Sequence, residues 1–152
     1  MSERSVTHNT FTLERTYDAP VARVFAAFAD WDAKQMWFAG PEDWEQGEAS
    51  MDFRVGGREV NKGGPKGGPV HSFESRYYDI VPNERIVYAY EMYMDDKRIS
   101  VSVSTFELKA EGSRTRLKLT EQGAYLDGFD NGTQREEGTR ELLDALGESL
   151  KN

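Results

Sequence analysis

The middle of the chain, from about Gly47 to Gln122, alternates apolar and polar residues with a period of two. Successive side chains of a β-strand point to opposite faces, so this period predicts strands that each have one apolar face. Turn signals such as Pro82-Asn83 and Asp95-Asp96 divide the region, so short connections join neighbouring strands. The pattern predicts an antiparallel meander of about six strands whose apolar face needs a cover.

The segment before the meander predicts one strand and two short helices. Thr10 to Asp18 alternates with a period of two, which is typical of a strand. Val21 to Phe28 then places apolar residues at the i, i+3, i+4 and i+7 positions of a short amphipathic helix. A further helical turn or two is predicted at Trp31 to Phe38.

The last segment predicts one long helix from about Thr133 to Leu150. Leucine recurs every fourth residue from Leu142 to Leu150, and Thr133 with Glu136 resembles a capping box. Gly138 lies on the apolar side, where glycine costs about 1 kcal/mol relative to alanine. We therefore expect the helix to approach the sheet or a ligand closely at Gly138.

These elements predict a single α+β domain of residues 10–152, with a flexible N-terminus at residues 1–9. A chain of 152 residues is long enough for one core, and aromatic residues form 12% of it. The net charge of −8 disfavours nucleic acid and anionic membranes as partners. With no cysteine, no signal-peptide pattern and no apolar run of spanning length, the sequence predicts a cytoplasmic protein without disulfides or membrane insertion.

The stretch Gly56 to Pro69 contains six of the fourteen glycines and raises the question of a phosphate-binding loop. Such a loop needs GxxxxGK[ST] between a strand and a helix, yet neither Lys62 nor Lys66 precedes serine or threonine. Because a strand is predicted on each side, we interpret the stretch as a hairpin connection within the sheet. A flexible lip over a cavity is a secondary interpretation.

The order of elements resembles the helix-grip fold of the SRPBCC superfamily, which includes START lipid-transfer proteins and birch-pollen allergens. A more specific resemblance covers nearly the whole chain and is carried by Asp18–Asp30, Asp52–Gly57, Tyr77–Met92 and Thr115–Asp130, with the closing Arg135–Leu150. On these residues the chain resembles the bacterial branch related to activators of the Hsp90 ATPase. The resemblance implies a curved sheet of six or seven strands wrapped around the C-terminal helix, with an apolar pocket between them.

The resemblance implies a pocket but no single reaction. The first hypothesis is binding of a small hydrophobic or amphipathic ligand, in a stress-related or regulatory role. The alternatives are an enzyme of cyclase or hydrolase type and a co-chaperone-like interaction module. Eukaryotic activators carry an additional N-terminal domain for which this chain has no room, so chaperone interaction is disfavoured. A homodimer is compatible with the sequence.

Aromatic residues on inward parities are the predicted lining of the cavity, together with one acidic residue. Several converging tyrosine hydroxyls would orient the polar end of a mostly apolar ligand. The predicted lining residues are Trp37, Phe53, Tyr77, Tyr88, Tyr90, Glu121 and Phe129.

Three charged or titratable residues are predicted polar anchors: Arg15, Glu121 and His71. Arg15 and Glu121 share the parity of apolar neighbours, and a buried charge needs a partner. In the resembling fold the first and last strands are adjacent, so the hypothesis is a pair between Arg15 and Glu121. The alternative places both at strand ends, facing water.

No catalytic residue, cofactor or metal site is predicted. His8 and His71 are far apart in sequence and have no cysteine beside them, so no metal-ligand spacing is present. Acid–base chemistry by Glu121 with a tyrosine remains chemically open. The charged runs Glu42–Glu45 and Arg135–Glu141 are interpreted as solvated faces.

Overall fold

The structure, a computed structural model, describes residues 4–151, which form seven strands and three helices. The strands are β1 (Val6–Tyr17), β2 (Trp44–Met51), β3 (Arg58–Pro65), β4 (His71–Val81), β5 (Arg85–Met94), β6 (Lys97–Glu111) and β7 (Arg114–Leu126). The helices are α1 (Val21–Ala29), α2 (Trp31–Gln35) and α3 (Gly132–Ser149).

All the strands belong to one open antiparallel sheet in the order β1-β7-β6-β5-β4-β3-β2. The meander pairs each strand with the next along the chain, and β1 joins the far side by pairing with β7. The predicted α+β helix-grip fold is therefore confirmed, including the two short helices after the first strand. The expected adjacency of the first and last strands is also correct.

The core lies between the concave face of the sheet and the helices α1 and α3. Leu143 and Leu146 of α3 are buried against inward residues of β1, β6 and β7, including Phe11, Phe106 and Leu119. Tyr17 of β1 donates a hydrogen bond to the Leu143 carbonyl oxygen at 2.7 Å, which fixes α3 over the β1 edge.

The predicted start of the first strand at Thr10 is wrong. Residues 6–9 already belong to β1 and pair with β7, from Val6 opposite Leu126 to Asn9 opposite Gly123. The pattern missed them because both faces are exposed at this end of β1 and no apolar alternation is required. Residues 1–3 of the predicted flexible N-terminus lie outside the described residues.

The glycine-rich stretch is mostly a strand, so its interpretation as a connection was wrong for Arg58–Pro65. Only its ends turn, with positive φ angles at Gly56 (86°) and Gly67 (77°). At Gly64 an added Cβ would collide with the Pro69 carbonyl oxygen, so glycine permits the close backbone approach at this hairpin.

The predicted capping box of α3 is also wrong. The N-cap is Asn131, whose Oδ1 accepts a hydrogen bond from the Gln134 backbone N–H at 2.9 Å. The helix therefore begins at Gly132, one residue before Thr133.

A buried ion pair fixes α2 to the sheet. The Lys34 ammonium lies 2.6 Å from Glu59 Oε1 of β3, and both side chains are at most 2% exposed. Tyr77 donates to the same oxygen at 2.7 Å, while the Asn61 amide donates to Glu59 Oε2 at 2.9 Å. Burial lowers the pKa of Lys34, and the Glu59 carboxylate opposes that shift.

We predict strongly non-additive effects on stability at this pair. Lys34→Met leaves the Glu59 carboxylate buried without its cation and should cost about 3–5 kcal/mol, measured by urea denaturation. The double variant Lys34→Met/Glu59→Gln should be less destabilised than the sum of the two single variants.

The matched control is the exposed pair between Lys62 and Glu48, whose charged atoms lie 3.7 Å apart. Its coupling energy should stay below about 1 kcal/mol. Additive effects at Lys34 and Glu59 would show that the buried contact does not hold α2 on the sheet.

Candidate ligand-binding site

A cavity of about 340 Å³ lies between the concave face of the sheet, α3 and the segment of residues 37–46 that joins α2 to β2. Its size is within the range of small-molecule sites. Its apolar lining is mainly aromatic: Trp37, Phe38, Trp44, Phe73, Tyr88, Tyr90, Met92, Phe106, Leu119, Leu142 and Leu143.

The rings of the lining contact one another in edge-to-face and tilted arrangements. The Phe73 centroid is 5.0 Å from Phe38 and 4.9 Å from Tyr90, and Tyr88 is stacked on Phe106 at 5.9 Å. Such contacts hold the walls in place, so the cavity is shaped before a ligand arrives.

Five of the predicted site residues meet at this cavity: Trp37, Tyr88, Tyr90, Glu121 and His71. Trp37 comes from the segment after α2, and the others come from β4, β5 and β7, which the meander brings onto one face. Whether they bind a ligand stays a prediction.

Three other predicted lining residues lie elsewhere. Phe53 packs on Tyr77 with centroids 4.9 Å apart, and the Tyr77 hydroxyl is bound to Glu59. Phe129 is 40% exposed beside Lys97, whose ammonium is 5.3 Å from its ring centroid. Their positions in the sequence were compatible with side chains that point inward. Even so, none of the three lines the cavity.

The register of the sheet builds the polar end of the cavity. Tyr88, Ser104 and Glu121 lie directly opposite one another on β5, β6 and β7, with Tyr90 in the adjacent row. Glu121 accepts hydrogen bonds from the Tyr90 hydroxyl at Oε2 and from the Ser104 hydroxyl at Oε1, both at 2.8 Å. A carboxylate that is only 3% exposed is thereby solvated by protein hydroxyls.

Arg135 of α3 closes this network from the opposite wall. Its Nη1 donates to the Tyr90 hydroxyl at 2.9 Å and lies 4.0 Å from Glu121 Oε2. Its Nη2 donates to Ser100 Oγ at 2.8 Å and to Asp130 Oδ2 at 2.6 Å. The guanidinium thus joins the sheet, the start of α3 and the buried carboxylate.

The predicted pair between Arg15 and Glu121 is wrong. Arg15 does lie on the inward parity of β1, but its Nε contacts Asp144 Oδ1 of α3 at 3.3 Å. In the β1–β7 register Glu121 lies opposite Phe11, four residues from Arg15. The adjacency of β1 and β7 does not bring these two side chains together, because the register between the strands decides which residues meet.

Burial governs the protonation of the network. It raises the pKa of Glu121, while the hydrogen bonds from Tyr90 and Ser104 and the charge of Arg135 oppose the shift. Burial also raises the pKa of Tyr90, and the nearby Glu121 carboxylate raises it further. The tyrosine hydroxyl therefore stays protonated and available to donate to Glu121.

Sequence reasoning missed Arg135 because it treated Arg135–Glu141 as a solvated run. It also missed the serines of β6, where the sequence Ser-Val-Ser-Val-Ser places Ser100, Ser102 and Ser104 inward and both valines outward. Val101 and Val103 are 40% and 38% exposed, the reverse of the usual alternation. Inward serines are a signal of buried polar partners, since they leave room and supply hydroxyls.

Part of the cavity wall is exposed, at Gly138 of α3 and at Glu45 of the edge strand β2. Apart from the neighbouring residues and backbone of α3 itself, no heavy atom of residues 4–151 lies within 4 Å of a Cβ added at Gly138. The expected close approach of helix and sheet at Gly138 is therefore wrong. Trp44 and His71 also line the cavity, and their rings are stacked with centroids 4.7 Å apart.

Within the part of the chain that the structure describes, no three histidine, aspartate or glutamate side chains are grouped so that they could hold a metal ion. None of the helices in residues 4–151 combines the length and apolar character needed to cross a membrane.

The buried carboxylate makes a testable contribution to stability. A folded-state pKa above that of the unfolded chain stabilises the protein below the unfolded pKa, and this contribution is lost as pH rises through the folded pKa. Glu121→Gln cannot titrate, so its stability relative to wild type should increase from pH 4 to pH 8, as measured by urea denaturation at each pH.

The readout is how the difference in unfolding free energy between Glu121→Gln and wild type changes with pH. Its absolute size at any one pH also includes the hydrogen bonding that the substitution removes. Asp144→Asn, which removes an exposed carboxylate outside this network, is measured alongside as the matched control. A difference for Glu121→Gln that is flat, or that decreases toward pH 8, would contradict a raised pKa at Glu121.

Comparison with solved structures supports the same fold. A protein of Rhizobium loti, Mll3558, is 46% identical, with a TM-score of 0.89 over 95% of this chain and 99% of that one. A protein of Rhizobium leguminosarum is 41% identical, with a TM-score of 0.92 over 99% of both chains. The CV1439 protein of Chromobacterium violaceum is 27% identical, with a TM-score of 0.77 over 95% of this chain and 98% of that one.

No curated protein matches the chain. Residues 18–152, which span α1 to the C-terminus, match the family described as Activator of Hsp90 ATPase homolog 1-like protein. With a helix-grip architecture and a match over most of its length, the chain belongs to the Activator of Hsp90 ATPase homolog 1-like family.

Proposed function

We propose that the protein binds a small, mainly apolar molecule in the cavity between the sheet and α3. The observation that carries this proposal is the open cavity of about 340 Å³, whose wall is mainly aromatic and has one polar end. A protein that used this region only as a core would fill it, because empty interior space forfeits dispersion contacts.

The glycine at position 138 supports the proposal. Glycine within a helix costs about 1 kcal/mol relative to alanine. No protein group within residues 4–151 occupies the space that its absent side chain leaves. The helix therefore gives up stability at a place where a side chain would narrow the cavity.

We predict that alanine at position 138 stabilises the protein and that a larger side chain there reduces ligand binding. Gly138→Ala should raise the free energy of unfolding by up to about 1 kcal/mol, since alanine is the better helix former. Gly138→Leu should fold but reduce binding at least tenfold, measured by native mass spectrometry of co-purifying molecules and by titration with an apolar fluorescent dye.

The control is Glu137→Leu, which adds the same side chain at the neighbouring exposed position outside the cavity lining. It should leave binding close to wild type. Equal binding by wild type, Gly138→Leu and Glu137→Leu would sink the assignment of this cavity as the ligand site.

A second function, acid–base catalysis in the same cavity, is favoured by one observation. The Glu121 carboxylate and the Tyr90 hydroxyl are 2.8 Å apart, and both line the open space. A molecule recovered with the protein would then be converted during incubation with wild type but not with Glu121→Gln, as followed by its mass. Recovery of the unchanged molecule from both would leave binding as the function.

A further inference from the structure

The charges of the side chains that line the cavity do not sum to zero. Three carboxylates, Glu45, Glu121 and Asp130, line it against two cations, Lys62 and Arg135, which leaves one negative charge in excess. Lys62 lies 3.7 Å from a further carboxylate, Glu48. A second anion placed beside Glu121 would meet like charge at a carboxylate that is only 3% exposed.

Arg135 resembles a receptor for a ligand carboxylate, but its two terminal nitrogens already donate hydrogen bonds within the protein. Its four terminal N–H groups match four contacts: Tyr90 at 2.9 Å, Ser102 at 3.4 Å, Ser100 at 2.8 Å and Asp130 at 2.6 Å. A ligand acid would have to displace Asp130 or the hydroxyls to reach the guanidinium.

The tyrosine rings beside Arg135 also restrict approach. The guanidinium carbon lies 5.5 Å from the Tyr90 centroid and 5.3 Å from the Tyr125 centroid, and the side chain is only 10% exposed. Arg135 is thus held as an internal counter-ion rather than presented to the open space.

Glu121, in contrast, keeps hydrogen-bonding capacity. A carboxylate has about four acceptor sites. The Tyr90 and Ser104 hydroxyls each use one of them, on different oxygens. Because both hydroxyls donate their protons to Glu121, a ligand group placed beside the carboxylate must donate as well.

We propose that the cavity selects molecules whose apolar, ring-sized body carries an uncharged hydrogen-bond donor, such as a hydroxyl or an aromatic amino group, and rejects carboxylates of the same size. This inference rests on the proposed function and specifies its ligand class. The donor would bind Glu121, and the body would lie among Phe73, Tyr88 and Phe106.

Three probes of one shape test this selectivity: 2-naphthol, 2-methylnaphthalene and 2-naphthoate, titrated calorimetrically into wild type at pH 7. We expect 2-naphthol to bind most tightly and 2-naphthoate at least tenfold more weakly than 2-naphthol. This comparison needs no variant, so it does not depend on whether a substitution is tolerated.

Glu121→Gln supplies the second measurement, because it keeps the size of the side chain and removes its charge. The preference for 2-naphthol over 2-naphthoate should fall at least fivefold in this variant. It should be unchanged in Asp144→Asn, which removes a charge from α3 outside the cavity lining.

The outcomes separate this inference from the proposed function. Binding of 2-naphthoate as tightly as 2-naphthol, or more tightly, would overturn the donor selectivity while leaving the cavity as a ligand site. Selectivity that persists undiminished in a folded Glu121→Gln protein would overturn the role of Glu121. Failure of all three probes to bind would contradict the proposed function and the inference with it.

Discussion

The buried carboxylate of Glu121 organises one half of the protein interior, because an ion on the concave face of a sheet must be solvated by something other than water. Its two oxygens each accept one hydrogen bond, from the Tyr90 hydroxyl of β5 and from the Ser104 hydroxyl of β6. Arg135 reaches the same group from α3, and Asp130 holds Arg135 in turn. The helix, three strands and the loop before α3 are thus tied to one charge.

A second polar network lies at the other side of the cavity and performs a similar task for α2. Lys34 and Glu59 are buried together beneath Phe38, whose ring centroid is 4.5 Å from the lysine nitrogen. Phe38 and Asn61 contact this network and also line the cavity. Directional polar contacts therefore hold both walls, while the lining of the space between them is mainly aromatic and aliphatic. Such an arrangement lets the interior stay open without collapsing, since each wall is fixed by its own bonds.

Much of the fold could be predicted from the sequence because the local spacing of apolar residues determines most of the strands and helices. Alternation gave the strands of the meander, the spacing from Leu142 to Leu150 gave α3, and inward parity placed Tyr88, Tyr90 and Glu121 on the cavity face. Arg15 shows where this reasoning ends. Its inward direction follows from parity, but its partner Asp144 depends on the offset between β1 and α3.

Arg135 and the β6 serines show a different limit. Polar residues are mostly exposed, so the sequence places Arg135, which has acidic neighbours, at the surface. For the same reason it places the β6 serines on the outer face of the strand. Only the pairing of β6 with β5 and β7 reveals that these polar groups satisfy one another. Similarly, Phe53 and Tyr77 have inward parity, but their position near α1 and Glu59 puts them in packed core.

The bare helical position at Gly138 has an evolutionary consequence. A change to alanine would strengthen the helix and add a methyl group at the cavity wall, so under the proposed function stability and ligand binding make opposite demands on that residue. A relative that binds no ligand in this cavity would be free to carry alanine there. The residue at position 138 would then distinguish relatives with an occupied cavity from relatives without one.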